Sequence, residues 1–281
     1  MMKFILSTIF LILSINASHA QQSDRRIVSI GGALTETIYA LGRGSSLVGS
    51  DTTSYFPSAA AKLPKTGYQR ALSVEGVLSL KPDLIIATED AGPPSVIKQI
   101  ASTGVQINHF KSAKSIEETR ENILALGQTL DAMTAAKSLI EIFDTSLARL
   151  KVATSKQTTR PQVLFIMNHG SSTPMAAGSE TSAHSIIELA GGINVAAAYA
   201  GYKPISPEAV VKFSPEVILI TSRTLKQIGG KDALFKLPGL ALTPAAKSGN
   251  VIDMDGLLLL GFGPRSAAAA LELNERLNAH D

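Results

Sequence analysis

The sequence contains no cysteine and no tryptophan in 281 residues. Without cysteine there can be no disulfide, thiolate zinc site, iron–sulfur cluster or thiol nucleophile. Phenylalanine and tyrosine are few, and aromatic residues make up 5% of the chain. This scarcity disfavours recognition of a ligand by stacking on flat rings. Charge is sparse and almost balanced, 26 Lys and Arg against 23 Asp and Glu, for a formal net charge of +3. Such a balance gives no reason to invoke nucleic acid. Beyond the N-terminus no run is long and apolar enough to span a bilayer. Catalytic signatures are missing as well. The chain has no Gly-x-Ser-x-Gly elbow, no His-Glu-x-x-His and no phosphate loop ending in Lys-Ser or Lys-Thr. It is therefore expected to bind rather than to catalyse.

The N-terminus does carry a signal. Met1–Lys3 bears one positive charge, Phe4–Ile15 is an apolar run broken only by Ser and Thr, and Ser18-His19-Ala20 places small residues before a cut. This is the layout of a secretory signal peptide over residues 1–20, too short for a comfortable membrane span. Cleavage after Ala20 would leave a chain from Gln21 in the periplasm, large enough for one large domain or two moderate ones built on apolar cores.

From there strands and helices alternate. Arg26-Ile27-Val28-Ser29-Ile30 is a β-branched run that Gly31-Gly32 turns into the helical spacing of Leu34–Leu41. Leu84-Ile85-Ile86-Ala87 is a buried-type strand after the turn signal Lys81-Pro82-Asp83; Val96–Ser102 reads as helix and Val105–His109 as strand. This alternation predicts an α/β fold with largely parallel sheets. Ser115 to about Val152 is helical throughout, with no Pro and a lone Gly127, so that one long helix, or two joined near Gly127–Ala132, fits. The α/β pattern then restarts with the strand Gln162–Met167, the helix Ser182–Ala190, the strands Val217–Ile220 and Asn250–Met254, and the amphipathic helix Arg265–Leu277. The halves echo one another. Lys81-Pro82-Asp83-Leu84-Ile85-Ile86 resembles Ser214-Pro215-Glu216-Val217-Ile218-Leu219-Ile220, and a Glu-containing helical stretch precedes each, at Glu75 and Glu208. The expected organisation is an N-terminal lobe over 21–127, a linking helix over 128–155 and a C-terminal lobe over 156–281. Ligands usually sit in a cleft between such lobes.

Candidate ligand residues are few. Gly31-Gly32 lacks the full nucleotide-binding fingerprint and reads as a strand-to-helix turn. His280 is terminal, His109 ends a strand and reads as structural, and His184 sits at a helix start. His169 follows the strand ending at Met167, in the kind of strand-end loop that lines a cleft. Tyr68 lies in the loop Pro64–Arg70, two residues before Arg70. In an extended segment the two side chains would project the same way. A guanidinium beside a phenol favours the phenolate, an anionic oxygen donor suited to ferric iron.

Five stretches give this pattern a context: Arg26–Glu36, Thr66–Gly76, Thr173–Gly178, Lys236–Ala245 and Leu259–Arg265. Through them the chain resembles the periplasmic haem-binding proteins of haem ABC importers, of the class III, helical-backbone kind, over essentially all of the mature sequence. The resemblance implies two Rossmann-like α/β lobes with central, mostly parallel sheets, joined by one long backbone helix. It implies ferric haem, one or two per chain, as the transported ligand. Tyr68 falls on the axial tyrosine and Arg70 on the arginine that supports the tyrosinate. His169 falls where some members carry a second ligand or hold a stacked haem. Glu75 and Glu208 fall on the lobe-tip glutamates that dock on the permease; as ordinary helix-start carboxylates they would be stabilised by the helix dipole alone. Arg223 and Lys226 are assigned to haem propionates on charge and on a predicted strand-end position. The implied partners are an inner-membrane haem permease with its ATPase and an outer-membrane receptor upstream, with the chain a monomer. A ferric siderophore or a cobalamin is the alternative ligand, and a periplasmic enzyme on the same scaffold a more distant one.

Overall fold

The computed structural model describes residues 25–167 and 174–279. The signal-peptide segment, His169 and His280 lie outside the described residues.

The first lobe is built on a four-stranded parallel sheet. Its strands are β1 (Ile27–Ile30), β2 (Leu47–Ser50), β5 (Leu84–Thr88) and β6 (Gln106–Phe110), in the order β2-β1-β5-β6. Strands β3 (Gly67–Tyr68) and β4 (Ala71–Leu72) form a separate antiparallel hairpin. The helices of this lobe are α1 (Gly32–Ala40), α2 (Ser58–Ala61), α3 (Val74–Leu78), α4 (Pro94–Ala101) and α5 (Ile116–Thr129). Every residue of β1 and β5 is buried, as expected of parallel strands covered on both faces. His109 is exposed on the edge strand β6, so it is not the structural histidine its strand-end position suggests.

Helix α6 (Met133–Ser155) leads to the second lobe. There β7 (Gln162–Met167), β8 (Met175–Ala177), β10 (Tyr202–Pro204), β11 (Val217–Thr221) and β12 (Val251–Met254) form a mixed sheet in the order β10-β8-β7-β11-β12, with β9 (Ile193–Asn194) paired to β7. The strand pairs β7–β11 and β11–β12 are parallel, whereas β8 runs antiparallel to both β7 and β10. The surrounding helices are α7 (Ser182–Leu189), α8 (Pro207–Phe213), α9 (Ser222–Ile228), α10 (Lys231–Leu234), α11 (Pro244–Ser248), α12 (Gly256–Leu260) and α13 (Ser266–Asn278). Two α/β lobes and a long helix are thus the observed architecture.

The helical middle of the chain resolves into two helices, joined at Leu130–Ala132 within the Gly127–Ala132 stretch that the sequence indicates. Asp131 adopts φ 49°, the left-handed conformation that ends a helix, whereas Gly127 lies inside α5. Gly127 is there for contact. A Cβ on it would come within 2.5 Å of the Ala136 Cβ on α6, so its missing side chain lets the two helices pack closely. Helix α6 then serves both lobes along one stripe. Ala136 with Leu139 and Ile140 packs into the first lobe's core; Leu147, Leu150 and Ala153 pack into the second.

Gly127→Val should force α5 and α6 apart. Overpacking of this kind costs about 1–3 kcal/mol. Urea unfolding should show an unfolding free energy lower by that amount, with a correspondingly lower midpoint, although valine also removes the entropic disadvantage of a helical glycine. A variant as stable as the parent would mean that this contact is not tight.

Candidate functional site

The C-terminal ends of the parallel strands are where open α/β sheets bind ligands, and the β3–β4 hairpin is fastened over them. Thr52 N–H donates to the Gly67 carbonyl (2.9 Å), Gly92 N–H to the Gln69 carbonyl (2.8 Å) and Leu72 N–H to the Gly92 carbonyl (2.9 Å). Backbone bonds on both sides therefore fix the hairpin between the loop after β2 and the loop after β5.

Tyr68 ends the first strand of this hairpin and is 42% exposed. Arg70 occupies the two-residue turn between Tyr68 and Ala71, which pair across the hairpin. Its Nη1 donates to the Tyr68 hydroxyl oxygen at 2.9 Å. The pairing anticipated from sequence is present, but the segment is not extended through Arg70; the turn folds the guanidinium back onto the phenol. A third member had no local signal. The Arg70 Nη2 pairs with Asp90 Oδ2, just past β5, and Asp90 Oδ1 accepts from Ser112 Oγ at 2.5 Å, just past β6. Burial works to raise the Asp90 carboxyl, but the neighbouring Ser112 and Thr88 hydroxyls and the Arg70 guanidinium outweigh it and hold the group below its ordinary value. Burial likewise works against the Arg70 charge, and Asp90 and Tyr68 together outweigh that too.

Tyr202, half-buried on β10 of the second lobe, was also missed. Burial pushes its hydroxyl up, the Arg70 charge opposes this and Tyr68 reinforces it, so it stands within electrostatic range of the pair from the other lobe. Arg223 and Lys226 are exposed on α9, which starts directly after β11, and the structure brings neither into hydrogen-bonding contact with Tyr68 or Arg70.

The Gly31-Gly32 turn is occupied by the protein itself. Gly31 N–H donates to Asp51 Oδ1 (2.9 Å) and Gly32 N–H to Thr53 Oγ1 (3.0 Å). Asp51 is fully buried and also accepts from Thr53 N–H, Thr53 Oγ1 and Ser54 Oγ. Those amides are spent on the loop that carries Tyr55 and Phe56. At Gly31 (φ 119°) a Cβ would come within 2.7 Å of Thr88 Cγ2, so a side chain is excluded on two counts.

That loop meets the second lobe. Tyr55 donates to Asp255 Oδ2 (3.1 Å) and accepts from Leu257 N–H (2.7 Å); burial, first of all, pushes its hydroxyl up to about 12. Arg265 forms a two-bond pair with Glu36, Nε to Oε1 at 2.6 Å and Nη2 to Oε2 at 2.8 Å, and its guanidinium lies 3.6 Å from the Phe56 ring centroid. Thr119 Oγ1 donates to the Phe262 carbonyl at 2.9 Å.

Glu75 and Glu208 are exposed at the starts of α3 and α8, which are built alike. Ser73 Oγ caps Gly76 N–H and Ser206 Oγ caps Ala209 N–H, with each glutamate two residues after its serine. Glu208 is held below the ordinary carboxylate range by its own backbone N–H and by Ser206.

A sequence profile described as periplasmic binding protein matches residues 27–257. The chain belongs to the periplasmic binding protein family. Its sequence is similar to an uncharacterised ABC transporter substrate-binding lipoprotein of Bacillus subtilis, YvrC, at 28% identity, covering 92% of this chain and 81% of that protein. It is also similar to a vitamin B12-binding protein of Vibrio vulnificus, at 25% identity over 96% of this chain and 95% of that one. Among solved structures it resembles the periplasmic heme-binding protein RhuT from Roseiflexus in its apo form, at 38% identity and a TM-score of 0.86, covering 90% of this chain and 97% of that one. The periplasmic heme-binding protein BhuT in complex with two hemes matches with 40% identity, the same TM-score and the same coverage. The fold is therefore that of the two-lobe binding proteins that serve ABC importers, with a cognate permease and ATPase as partners. The family is one of solute carriers.

Glu36→Ala would leave Arg265 partly buried without its partner. Loss of one member of a buried pair costs about 3 kcal/mol. The urea midpoint should fall accordingly; an unchanged midpoint would show that the contact between the lobes rests elsewhere.

Proposed function

We propose that this protein captures ferric haem between its lobes and delivers it to an inner-membrane ABC permease, with Tyr68 as the axial ligand to iron. The observation that carries this reading is the hydrogen bond from Arg70 to the Tyr68 hydroxyl oxygen on a hairpin held over the strand ends. Tyrosine oxygen is a donor to haem iron, and the Arg70 bond fixes where this oxygen stands. The similarity to proteins titled heme-binding supports the same ligand. His169 is the proposed second ligand or the support for a second haem, and Arg223 with Lys226 would meet the propionates. The signal peptide over residues 1–20 would be removed on export to the periplasm, where an outer-membrane receptor supplies haem; the chain would act as a monomer of two lobes.

A cobalamin is the second reading, supported by relatives named as vitamin B12-binding. The absence of tryptophan and the tyrosine–arginine pair favour haem. Titration of the mature protein with hemin should give a saturable Soret change that aquocobalamin does not suppress, and its endpoint counts one haem or two. Tyr68→Ala should weaken binding by at least about tenfold, the scale on which even a ligand's supporting partners act at a metal, and abolish the tyrosinate charge-transfer band. Suppression by aquocobalamin, or a Tyr68→Ala spectrum like that of the parent, would reject haem or the ligand assignment respectively.

Glu75 and Glu208 are proposed to dock on permease cations from the two lobe tips. The Glu75→Ala, Glu208→Ala double variant should bind hemin as the parent does, yet lose most transport in vesicles containing the permease and ATPase. Parental transport rates would reject the docking role.

A further inference from the structure

The side chains around Tyr68 include one whose position has no role in the reading above. We propose that Asp90 is a positioning residue for the ligand site, holding the Arg70 guanidinium so that Nη1 stays on the Tyr68 oxygen. The inference rests on Tyr68 being the iron donor.

Arg70 is poorly held by its own surroundings. It sits on a two-residue turn and its side chain is 55% exposed. A free arginine side chain there would sample many rotamers, and fixing it costs entropy. Asp90 supplies the anchor. Its side chain is only 28% exposed, it follows the fully buried strand β5, and its other oxygen is held by Ser112 past β6. Two adjacent strands of the sheet thus set where the carboxylate stands. The guanidinium is a planar fork, so a carboxylate on Nη2 dictates where Nη1 points. The same loop also holds the hairpin backbone, through the bonds of Gly92 with Gln69 and Leu72. Residues 90–92 therefore locate both the hairpin and its arginine. With Arg70 and Asp90 paired, the tyrosine oxygen faces a directed donor in place of a wandering charge.

A plain surface ion pair would have a different signature. Exposed pairs contribute little to stability, so in either case the melting midpoint of the haem-free protein should not move when Asp90 is changed. A positioning role alone predicts a change in how the iron is held. The experiment compares the parent, Asp90→Ala, Asp90→Asn, Arg70→Ala, the Asp90→Ala, Arg70→Ala double variant and Tyr68→Ala, each loaded with hemin. Asp90→Ala should move the tyrosinate charge-transfer band in the same direction as Arg70→Ala and speed haem loss to apomyoglobin by about tenfold. The double variant should be no worse than Arg70→Ala alone, because both changes act through one guanidinium. Asp90→Asn keeps an acceptor oxygen for Arg70 and should recover most of the parental band. A parental band and rate in Asp90→Ala, or effects of the two substitutions that multiply, would overturn the proposal. Tyr68→Ala reports separately on the reading beneath it. A parental charge-transfer band in that variant shows that Tyr68 is not the donor, and the Asp90 assignment falls with it.

Discussion

The two-bond pair between Arg265 and Glu36 is the charged contact that joins the two lobes among the described residues. Glu36 is buried on α1, the helix that follows the first strand, while Arg265 comes from the segment that follows the last strand of the second sheet. Because a charge stripped of water is costly unless it is matched, the pair favours one registry of the lobes over others. Phe56 stacks on the same guanidinium, and Tyr55 bonds to Asp255 and Leu257 beside it. The Tyr55–Phe56 loop is in turn organised by the buried Asp51 carboxylate, which accepts from Thr53 and Ser54 of that loop and from the Gly31 amide of the first strand-to-helix turn. A chain of polar contacts therefore runs from the first βα turn to the start of the last helix.

The candidate ligand site uses the complementary arrangement. Tyr68 is exposed, but everything that locates it is fastened to the sheet: the hairpin backbone by Thr52, Leu72 and Gly92, and the guanidinium by Asp90 and Ser112. An exposed donor on a pre-fixed support loses little freedom when a ligand arrives. Tyr202 on the short strand β10 of the second lobe feels the charge of Arg70.

Much of this was legible in the sequence, and the reasons for the remainder are physical. The buried parallel strands β5, β7 and β11 announce themselves as nearly continuous apolar runs because both faces are covered, and β1 and β12 as shorter runs each carrying one polar residue, Ser29 or Asp253. The short strands β8, β9 and β10 carry too few residues for any period to show, and the hairpin of Tyr68 reads as loop for the same reason. Tyr68 and Arg70 were found together because they are two residues apart, although a turn unites them and not alternation. Asp90 stands twenty residues from Arg70 in sequence, and only the adjacency of β5 to the hairpin brings it in. Gly127, the lone glycine of the helical middle, serves a helix contact that only the packing of α5 on α6 reveals. The matched serine caps before Glu75 and Glu208 explain why the two halves echo: each is the same device for starting a short helix with its carboxylate in solvent.

Helix α6 has 23 residues, a rod of about 34 Å. Its apolar stripe serves one core with Ala136, Leu139 and Ile140 and the other with Leu147, Leu150 and Ala153. A residue inserted between these groups would rotate one half by about 100° against the other. The spacer can therefore lengthen or shorten only in steps close to whole turns, and the span between the two lobes, with whatever gauge a partner reads from it, comes in discrete sizes.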